Sequence, residues 1–313
     1  MELQQMRYVV AVAETGGFTK AAQRCLVVQS ALSHQIARLE RELGARLFDR
    51  TSRSVRLTAA GAAFLPSARQ CLDFAERAAA EVAAAVGEVR GRVVVGVIPT
   101  VAAVDLPAAL KVFRERYPQV RVALRMAPSH ELVEQVRHGG LDLAFLGLAP
   151  NVRPEGVRGH ELARDEHVAV VAPSHPLAGH AETTLQELAE ELFVDFPAGS
   201  PGRVQADQAF AAAGLQREVA FEVTTAELMA GLIREGLGVA VLPSRYTPRL
   251  SGVVTLPITN GPSRVEHLVW NAAGLTPAAA AFLDVLGVSA GGTGGEHASV
   301  DAHGLAGDPR SAV

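Results

Sequence analysis

Cysteine is nearly absent from this sequence of 313 residues, which contains only Cys25 and Cys71. Both lie in helix-like segments and neither belongs to a CxxC pair. The spacing therefore predicts neither a disulfide framework nor a cysteine-based zinc site. We interpret the two residues as reduced cysteines.

Long apolar runs are also missing. The longest stretch without Asp, Glu, Lys, Arg or His runs from Leu268 to Leu283 and is interrupted by Asn271 and Pro277. A membrane-spanning helix needs about 20 apolar residues, so we expect no membrane span and no membrane partner. The first residues lack a basic segment followed by an apolar core and a small-residue cleavage site, and we expect the chain to stay in the cytoplasm.

Short catalytic motifs are missing as well, because the sequence has no GxSxG, Walker loop, GxGxxG or HExxH. The neighbours Ser129 and His130 invite a hydrolase interpretation, but without such a motif we predict no enzyme, no catalytic residue and no cofactor.

Four histidines lack the regular spacing of metal ligands, and we expect solvated or capping roles for them rather than a metal site. They are His160, His167, His175 and His180.

The net charge of −4 is unevenly distributed along the chain. Residues 1–58 carry nine Arg or Lys against five Asp or Glu, a balance of +4, and the remaining residues carry −8. A small basic segment on an acidic body is the distribution expected when only one part of a protein contacts DNA phosphates. The N-terminal segment is the candidate nucleic-acid-binding part.

Apolar periodicity predicts three short helices within the first 44 residues. The first ends near Gly16, the second has Thr19 as its N-cap, and the third runs from about Ser30 to Leu43 and is closed by Gly44. Residues 46–58 alternate as in a small β-wing, so the pattern indicates a winged helix-turn-helix. The expected buried stripe of the third helix is Leu32, Ile36, Leu39 and Leu43.

Residues 59–86 show the 3-4 spacing of a heptad seam. At about 1.5 Å per residue, such a helix extends roughly 40 Å. Its small alanines suit the close approach of a partner helix, which predicts a dimerisation helix; the alternative is one helix packed on its own domain. The seam consists of Leu65, Ala68, Leu72, Ala75, Ala79, Val82 and Val86.

Beyond Gly91 the pattern changes to alternating strands and helices, which predicts two α/β lobes with parallel sheets. A last strand at 265–270 and a helix at 277–286 are expected to return to the first lobe, so that two strands cross at a hinge. The tail, 289–313, has little apolar periodicity and is predicted to be disordered. The other strands are predicted near 93–97, 120–126, 141–146, 167–171, 192–195, 219–221 and 238–242.

About twenty N-terminal positions share the spacing of one known family: Phe18, Ala21-Ala22, Leu26, Gln29 to Ser33, Gln35-Ile36, Leu39-Glu40, Leu43-Gly44, Leu47-Phe48, Arg50, Leu57-Thr58 and Gly61. Looser motifs follow in the same order: Pro99-Thr100, Phe113 to Pro118, Leu141 to Ala144, Pro173 to Leu177 and Gly236 to Pro243. Over roughly residues 2–287, the chain resembles the LysR-type transcriptional regulators.

The resemblance implies a multi-domain fold with an all-α winged helix-turn-helix head at 1–58 and a linker and dimerisation helix at 59–89. An α/β, two-lobed regulatory domain, similar to type 2 periplasmic binding proteins, would follow at 90–288. Lobe 1 would comprise about 90–162 and 265–288, and lobe 2 about 163–264. A solute-binding protein would share these lobes, but the basic head and the missing export signal disfavour that alternative.

The resemblance also implies a homodimer or homotetramer that binds double-stranded DNA at an inverted repeat with a T-N11-A-like core. It implies a small-molecule effector and contact with RNA polymerase. Peroxide-sensing relatives use a cysteine pair in the regulatory domain. Since no cysteine follows Cys71, that mechanism is not expected here.

In a helix-turn-helix, the second helix of the motif enters the major groove, and flanking groups contact phosphates. Gln can pair with adenine and Ser or His can contact bases, while the wing suits the backbone or the minor groove. Replacing Gln29 is expected to relax sequence choice, and replacing Arg53 to weaken binding to all sites; the alternative is an ordinary solvated face. The predicted DNA-binding residues are Thr19, Lys20, Gln29, Ser30, Ser33, His34, Arg38, Arg50, Thr51, Ser52 and Arg53.

Ligands of α/β lobes bind in loops after strand ends, where helix N-termini offer free N–H groups to an anion. Loops after the predicted strands qualify here, and the resemblance places the effector between them. We expect a small anionic metabolite, with Arg203 neutralising its carboxylate; the alternative is that the Ser and Thr residues only cap helices. The predicted effector-binding residues are Thr100, Ser129, Gly199, Ser200, Arg203 and Thr224.

Overall fold

The computed structural model describes residues 1–50 and 55–289, and of Arg50 only the backbone. The chain divides into two compact units, Met1–Gly91 and Arg92–Val313. The predicted disordered tail lies outside the described residues from residue 290 onward, as do Thr51, Ser52 and Arg53 of the predicted wing. The two units are described in turn.

The first unit begins with three helices, α1 (Leu3–Thr15), α2 (Phe18–Arg24) and α3 (Gln29–Leu43). Gly16 and Gly44 end α1 and α3 with positive φ angles of 68° and 69°, a conformation that glycine adopts without steric cost. Leu32, Ile36 and Leu39 of α3 are fully buried in the core of the three helices. The predicted helix-turn-helix is present.

Two details of this prediction were wrong. Gly17, not Thr19, is the N-cap of α2, because the helix begins at Phe18 and carries Thr19 exposed in its first turn. Leu43 is 40% exposed, since it is the last residue of α3 and lies beyond the edge of the core. The buried stripe is therefore one turn shorter than the periodicity indicated.

The wing follows as an antiparallel pair, β1 (Phe48–Arg50) and β2 (Val55–Leu57), with Phe48 opposite Leu57. Glu40 of α3 accepts hydrogen bonds from the backbone N–H groups of Leu47 and Phe48 at 2.8 and 3.2 Å. The Phe48 ring packs edge-on against Phe18 with centroids 5.8 Å apart. These contacts attach the wing to the helices.

One long helix, α4 (Ala59–Ala85), completes the unit, with the Thr58 hydroxyl capping its N-terminus by accepting from Gly61. Its N-terminal part packs against α1, and Arg69 pairs with Glu14 at 3.3 Å. Along the predicted seam the exposure rises toward the C-terminus: Ala68 is buried, whereas Val82 is 68% exposed. The alternative expectation holds for the N-terminal part, which packs on its own unit. The dimerisation helix stays a prediction, which the exposure of Val82 suits.

In its described part, the second unit contains a mixed sheet of eight strands in the order β4-β3-β5-β12-β6-β11-β7, with β10 also pairing with β6. A separate parallel pair is formed by β8 and β9. The strands are β3 (Gly91–Val97), β4 (Val120–Met126), β5 (Leu143–Leu148), β6 (Val157–Val171), β7 (Thr183–Thr184), β8 (Leu192–Asp195), β9 (Glu218–Glu222), β10 (Ala240–Pro243), β11 (Val254–Thr259) and β12 (Ser263–Asn271).

The expectation of purely parallel sheets was wrong. β12 lies between β5 and β6 and is antiparallel to both. β6 is 15 residues long. It has room to pair with the returning β12 along one part and with β10 and β11 along another, all of them antiparallel. The expected crossing strands are thus the two central strands of one sheet.

Up to residue 289, six helices accompany the sheet, and two short 3-10 helices, Pro176–Gly179 and Thr247–Arg249, lie in its loops. Phe113 and Phe282 stack edge-on between the first and the last of these helices. No helix within residues 1–50 and 55–289 is both long and apolar enough to span a membrane. The helices are α5 (Leu106–Arg116), α6 (Ser129–Arg137), α7 (Leu185–Ala189), α8 (Pro201–Ala212), α9 (Ala226–Arg234) and α10 (Pro277–Val285).

Candidate functional site

The first candidate site is the N-terminal end of α3 in the head. Gln29, Ser30, His34 and Arg38 are exposed on this helix, and Ser33 is half-buried. Val28 occupies the N-cap position and offers no side-chain cap, so the first N–H groups of the helix remain available to an external acceptor. The helix thus presents polar side chains and its positive end on the same surface.

The other predicted DNA-binding residues lie on α2 or at the wing, and Arg38 of α3 has an ion-pair partner. Thr19 and Lys20 are exposed on α2, the helix before α3. Arg38 lies 3.6 Å from Glu2, which offsets part of its charge. The Arg50 side chain and residues Thr51, Ser52 and Arg53 lie outside the described residues.

The second candidate site is a cavity of about 610 Å³ in the second unit. Loops that follow strands line it: the segment after β3, the segment after β4 that begins α6, and the segment 196–202 after β8 that begins α8. The end of β10 and single residues of β6 and β12, His167 and Arg264, complete its wall. Five of the six predicted effector-binding residues line this cavity, namely Thr100, Ser129, Gly199, Ser200 and Thr224.

The hydroxyl groups of these residues have different partners. The Ser129 hydroxyl donates to the Gly147 carbonyl at 3.2 Å and accepts from the Gly147 N–H at 3.1 Å. Thr100 Oγ1 accepts from Arg264 at 2.8 Å. The buried Ser200 hydroxyl has no hydrogen-bond partner among the described residues. Of the three, Ser200 is therefore the most available to a ligand.

The sixth predicted residue, Arg203, does not line the cavity. Its guanidinium group is surrounded by carboxylates, with Asp207 at 3.1 Å, Glu222 at 3.4 Å and Asp195 at 3.9 Å. It also donates to the carbonyl of Phe196 at 3.3 Å. The expectation that Arg203 neutralises the ligand is corrected, because its charge is already balanced within the protein.

The arginine that does line the cavity is Arg264 on β12. Its side chain is 3% exposed, donates to Thr100, and forms ion pairs with Glu266 and, at 3.6 Å, with Asp165. Burial lowers the pKa of Arg264, and the two carboxylates oppose that shift. Glu266 also accepts from the N–H groups of Ala102 and Ala103 at 3.1 Å. Arg264 therefore anchors the β3 loop and carries no excess positive charge for a ligand.

Two further polar side chains in the wall offer hydrogen-bond acceptors. Gln205 is 8% exposed, and its Oε1 atom has no partner within the described part of the chain. The Nδ1 atom of His167 faces the carbonyl of Pro262 at 3.2 Å. Because a carbonyl only accepts, that nitrogen carries the proton and Nε2 is left as an acceptor. Burial, reinforced by Arg264, lowers the pKa of His167 to about 4, so the ring is neutral at pH 7.

The N-termini of α6 and α8 lack the side-chain caps that other helices of this unit have. Asp105, Thr225 and Thr276 cap α5, α9 and α10, whereas Pro128 and Ser200 at the N-cap positions of α6 and α8 make no cap hydrogen bond. Both uncapped ends line the cavity. Free N–H groups and the positive end of the helix dipole make such ends suitable for an anion.

Comparisons with known proteins identify the family of both units. Residues 3–62 match the family model "Bacterial regulatory helix-turn-helix protein, lysR family", and residues 87–289 match "LysR substrate binding domain". The chain belongs to the LysR family. The predicted family is confirmed, and the LysR match covers both units of the chain.

Several LysR-family relatives align over most of their length. The transcriptional dual regulator GltC of Bacillus subtilis (strain 168) is 35% identical over 262 residues, 82% of this chain and 86% of GltC. The regulator ShiR of Corynebacterium glutamicum (strain R) is 38% identical over 244 residues, 77% of this chain and 82% of ShiR. The crystal structure of full-length CbnR with its target DNA has a TM-score of 0.70 and 26% identity, covering 91% of this chain and 98% of CbnR. The predictions of a DNA-binding transcriptional regulator rather than an enzyme, and of the fold, are confirmed.

Among the polar residues in the wall of this cavity, the sequence analysis missed Glu131, His167, Gln205 and Arg264. Arg264 and Glu266 are two residues apart in strand β12, on either side of Val265; opposite charges at this spacing share one face of a strand, a signal of an ion pair that was available but unused. His167 was expected to be solvated or capping, but it is 3% exposed. Gln205 carries no local signal, because an isolated glutamine in a helix usually faces solvent.

Proposed function

We propose that this protein binds an inverted-repeat operator as a dimer or tetramer and changes transcription when a small anionic metabolite enters the cavity. The observation that carries the proposal is the pair of uncapped helix N-termini, of α6 and α8, at one cavity of the ligand domain. On the DNA side, the support is the uncapped and exposed start of α3. The response reaches transcription through contact with RNA polymerase in this proposal.

The proposed domains are the head at 1–58, the linker helix at 59–89 and the ligand domain at 90–288, with lobes at about 90–162 plus 265–288 and at about 163–264. The linker helix supports self-association, because the end of its heptad seam is open. Val82 is 68% and Val86 75% exposed, and Phe74 on the same helix is 67% exposed. Apolar side chains at heptad spacing gain most when a second helix covers them.

Gln29→Ala should reduce the discrimination between the operator and its single-base variants, with less effect on non-specific binding. Gln29 is exposed at the first position of α3, and a bidentate Gln–adenine pair is worth about 1–3 kcal/mol of discrimination. Competitive binding to a randomised operator library measures the effect. Gln4→Ala is the matched control, since Gln4 is exposed on α1 outside the recognition helix. Unchanged affinity and preference in Gln29→Ala would remove this residue from the interface.

Carboxylates should bind this cavity at least tenfold more tightly than the corresponding primary amides, because the helix N-termini favour negative charge. Calorimetry with pairs such as benzoate and benzamide tests this, together with a footprint of the operator with and without the acid. Ser200→Ala should weaken binding of the acid without lowering stability, since its hydroxyl has no partner within the described residues. Ser251→Ala, an exposed serine that does not line the cavity, is the control. Amides that bind as well as acids would contradict an anionic effector.

A further inference from the structure

The ligand cavity is lined by one buried acceptor without a partner among the described residues, Gln205 Oε1, and by the buried ring of His167. Gln205 lies on α8, four residues after the uncapped start of that helix, and is only 8% exposed. Its Nε2 atom points to the Gly147 carbonyl at 3.5 Å, which leaves Oε1 for the cavity. A buried acceptor without a donor costs roughly 1–3 kcal/mol, so a ligand that supplies a donor removes a penalty already present.

His167 provides the second acceptor from another wall of the same cavity. It lies on β6, is 3% exposed, and is oriented by its Nδ1 hydrogen bond to Pro262. Its Nε2 atom is thus the nitrogen that a ligand can reach. Asp165 lies two residues away on the same strand, and Arg264 on β12 lies opposite Asp165.

The donor that these acceptors require is neutral. Burial and the positive charge of Arg264 both lower the pKa of His167, which means that a positive charge at this position is unfavourable. An ammonium group placed beside His167 would meet the same desolvation, which is the largest cause of the lowered pKa. A hydroxyl group donates a hydrogen bond without bringing a charge.

We propose that the ligand is a small polyhydroxylated carboxylic acid: its carboxylate binds at the N-termini of α6 and α8, and two of its hydroxyl groups donate to Gln205 Oε1 and His167 Nε2. The proposal rests on the anionic effector proposed above and adds the chemistry of the rest of the molecule. Gln205 and His167 are then the residues that determine specificity. A cavity of about 610 Å³ is in the size range of small-ligand sites.

The test compares hydroxylated acids with counterparts of the same carbon skeleton on the full-length protein. Three pairs cover chain, ring and aromatic shapes: gluconate with hexanoate, quinate with cyclohexanecarboxylate, and 3,4-dihydroxybenzoate with benzoate. Calorimetry should show at least one hydroxylated acid binding on the order of tenfold or more tightly than its counterpart. A ligand without hydroxyl groups leaves the acceptors unpaired. Counterparts that bind equally well or better in every pair would overturn the proposal.

Variants then locate the preference. Gln205→Met removes the acceptor at similar volume and should lower the preference for the hydroxylated acid by about tenfold while sparing its counterpart. Gln208 is an exposed glutamine on the same helix, so Gln208→Met is the matched control and should keep the preference for the hydroxylated acid. His167→Phe should also reduce this preference. If that variant fails to fold, Gln205→Met and the ligand pairs on the wild-type protein still test the hydroxyl assignment. A preference that survives in Gln205→Met would also overturn the proposal.

The outcome separates this inference from the proposed function. If only unhydroxylated acids bind, the effector is anionic but the hydroxyl assignment is wrong. If no acid binds while the protein still binds its operator, the anionic effector itself is wrong, and this inference fails with it.

Discussion

Arg217→Met should lower the free energy of unfolding of the ligand domain by about 3–5 kcal/mol, the cost of leaving a buried charge without its partner. The Arg217 side chain is 3% exposed and lies 2.7 Å from both Asp195 and Asp207. Its guanidinium also lies over the rings of Phe193 and Phe210, at 4.8 and 5.5 Å from their centroids. Methionine fills the space but leaves Asp195, 5% exposed, without that cation.

Urea unfolding followed by fluorescence measures this effect, since Trp270 is the only tryptophan of the chain and is buried in the ligand domain. Burial already raises the pKa of Asp195, and Arg217 opposes that rise. Without Arg217 the pKa rises further, so the stability deficit of the variant is largest near pH 7 and shrinks as falling pH protonates Asp195.

Two control variants make the cause of this effect testable. Asp195→Asn combined with Arg217→Met should recover much of the loss, because no buried charge remains. Arg114→Met, an exposed arginine on α5, should change stability by less than about 0.5 kcal/mol. A double variant as unstable as the single one would show that packing, rather than the orphaned carboxylate, is responsible.

Gly61→Ala should destabilise the head by about 3 kcal/mol, the upper part of the range for overpacking, and abolish operator binding. A Cβ atom on Gly61 would lie 2.1 Å from the Leu47 carbonyl oxygen and 2.9 Å from Leu57 Cδ2. The same carbonyl accepts a hydrogen bond from the Thr58 N–H at 3.0 Å. The added methyl group therefore displaces the junction of the wing and α4, and backbone cannot yield as a flexible side chain can.

Operator binding by fluorescence anisotropy and hydrogen exchange of the head amides measure the loss. Gly17→Ala is the matched control, because a Cβ there meets nothing within 4 Å and its φ is extended. The Trp270 transition of the ligand domain should stay unchanged in both variants. Full operator affinity in Gly61→Ala would mean that Leu47 moves at little cost.

Much of the head was predictable from the sequence, because its information is local. Apolar spacing and the glycines at 16 and 44 set the ends of α1 and α3 within a residue or two. The cap of α2 was wrong for an equally local reason: Gly17 and Thr19 both suit an N-cap, and only the packing of Phe18 against Phe48 distinguishes them.

The ligand cavity was predictable in its loops but not in its charges. Loops after strands, with Ser and Thr at helix starts, located Thr100, Ser129, Ser200 and Thr224 correctly at the cavity wall. The sequence could not show which arginine lines the cavity. Arg203 lies at the start of α8, where a cation is expected to help, yet Asp195, Asp207 and Glu222 surround it.

The sequence by itself determined the family, the winged head, the long helix and the α/β character of the ligand domain, because these depend on periodicity and on spacing between neighbours in the chain. Only the tertiary structure decided that β12 inserts between β5 and β6, and that it thereby brings Arg264 to Thr100 and Asp165. It also decided that Gln205, with its unpaired Oε1, and His167 line the same cavity. Contacts between residues far apart in the chain, such as Thr100 and Arg264, depend on strand order, and strand order is set by how the sheet buries its faces rather than by any local pattern.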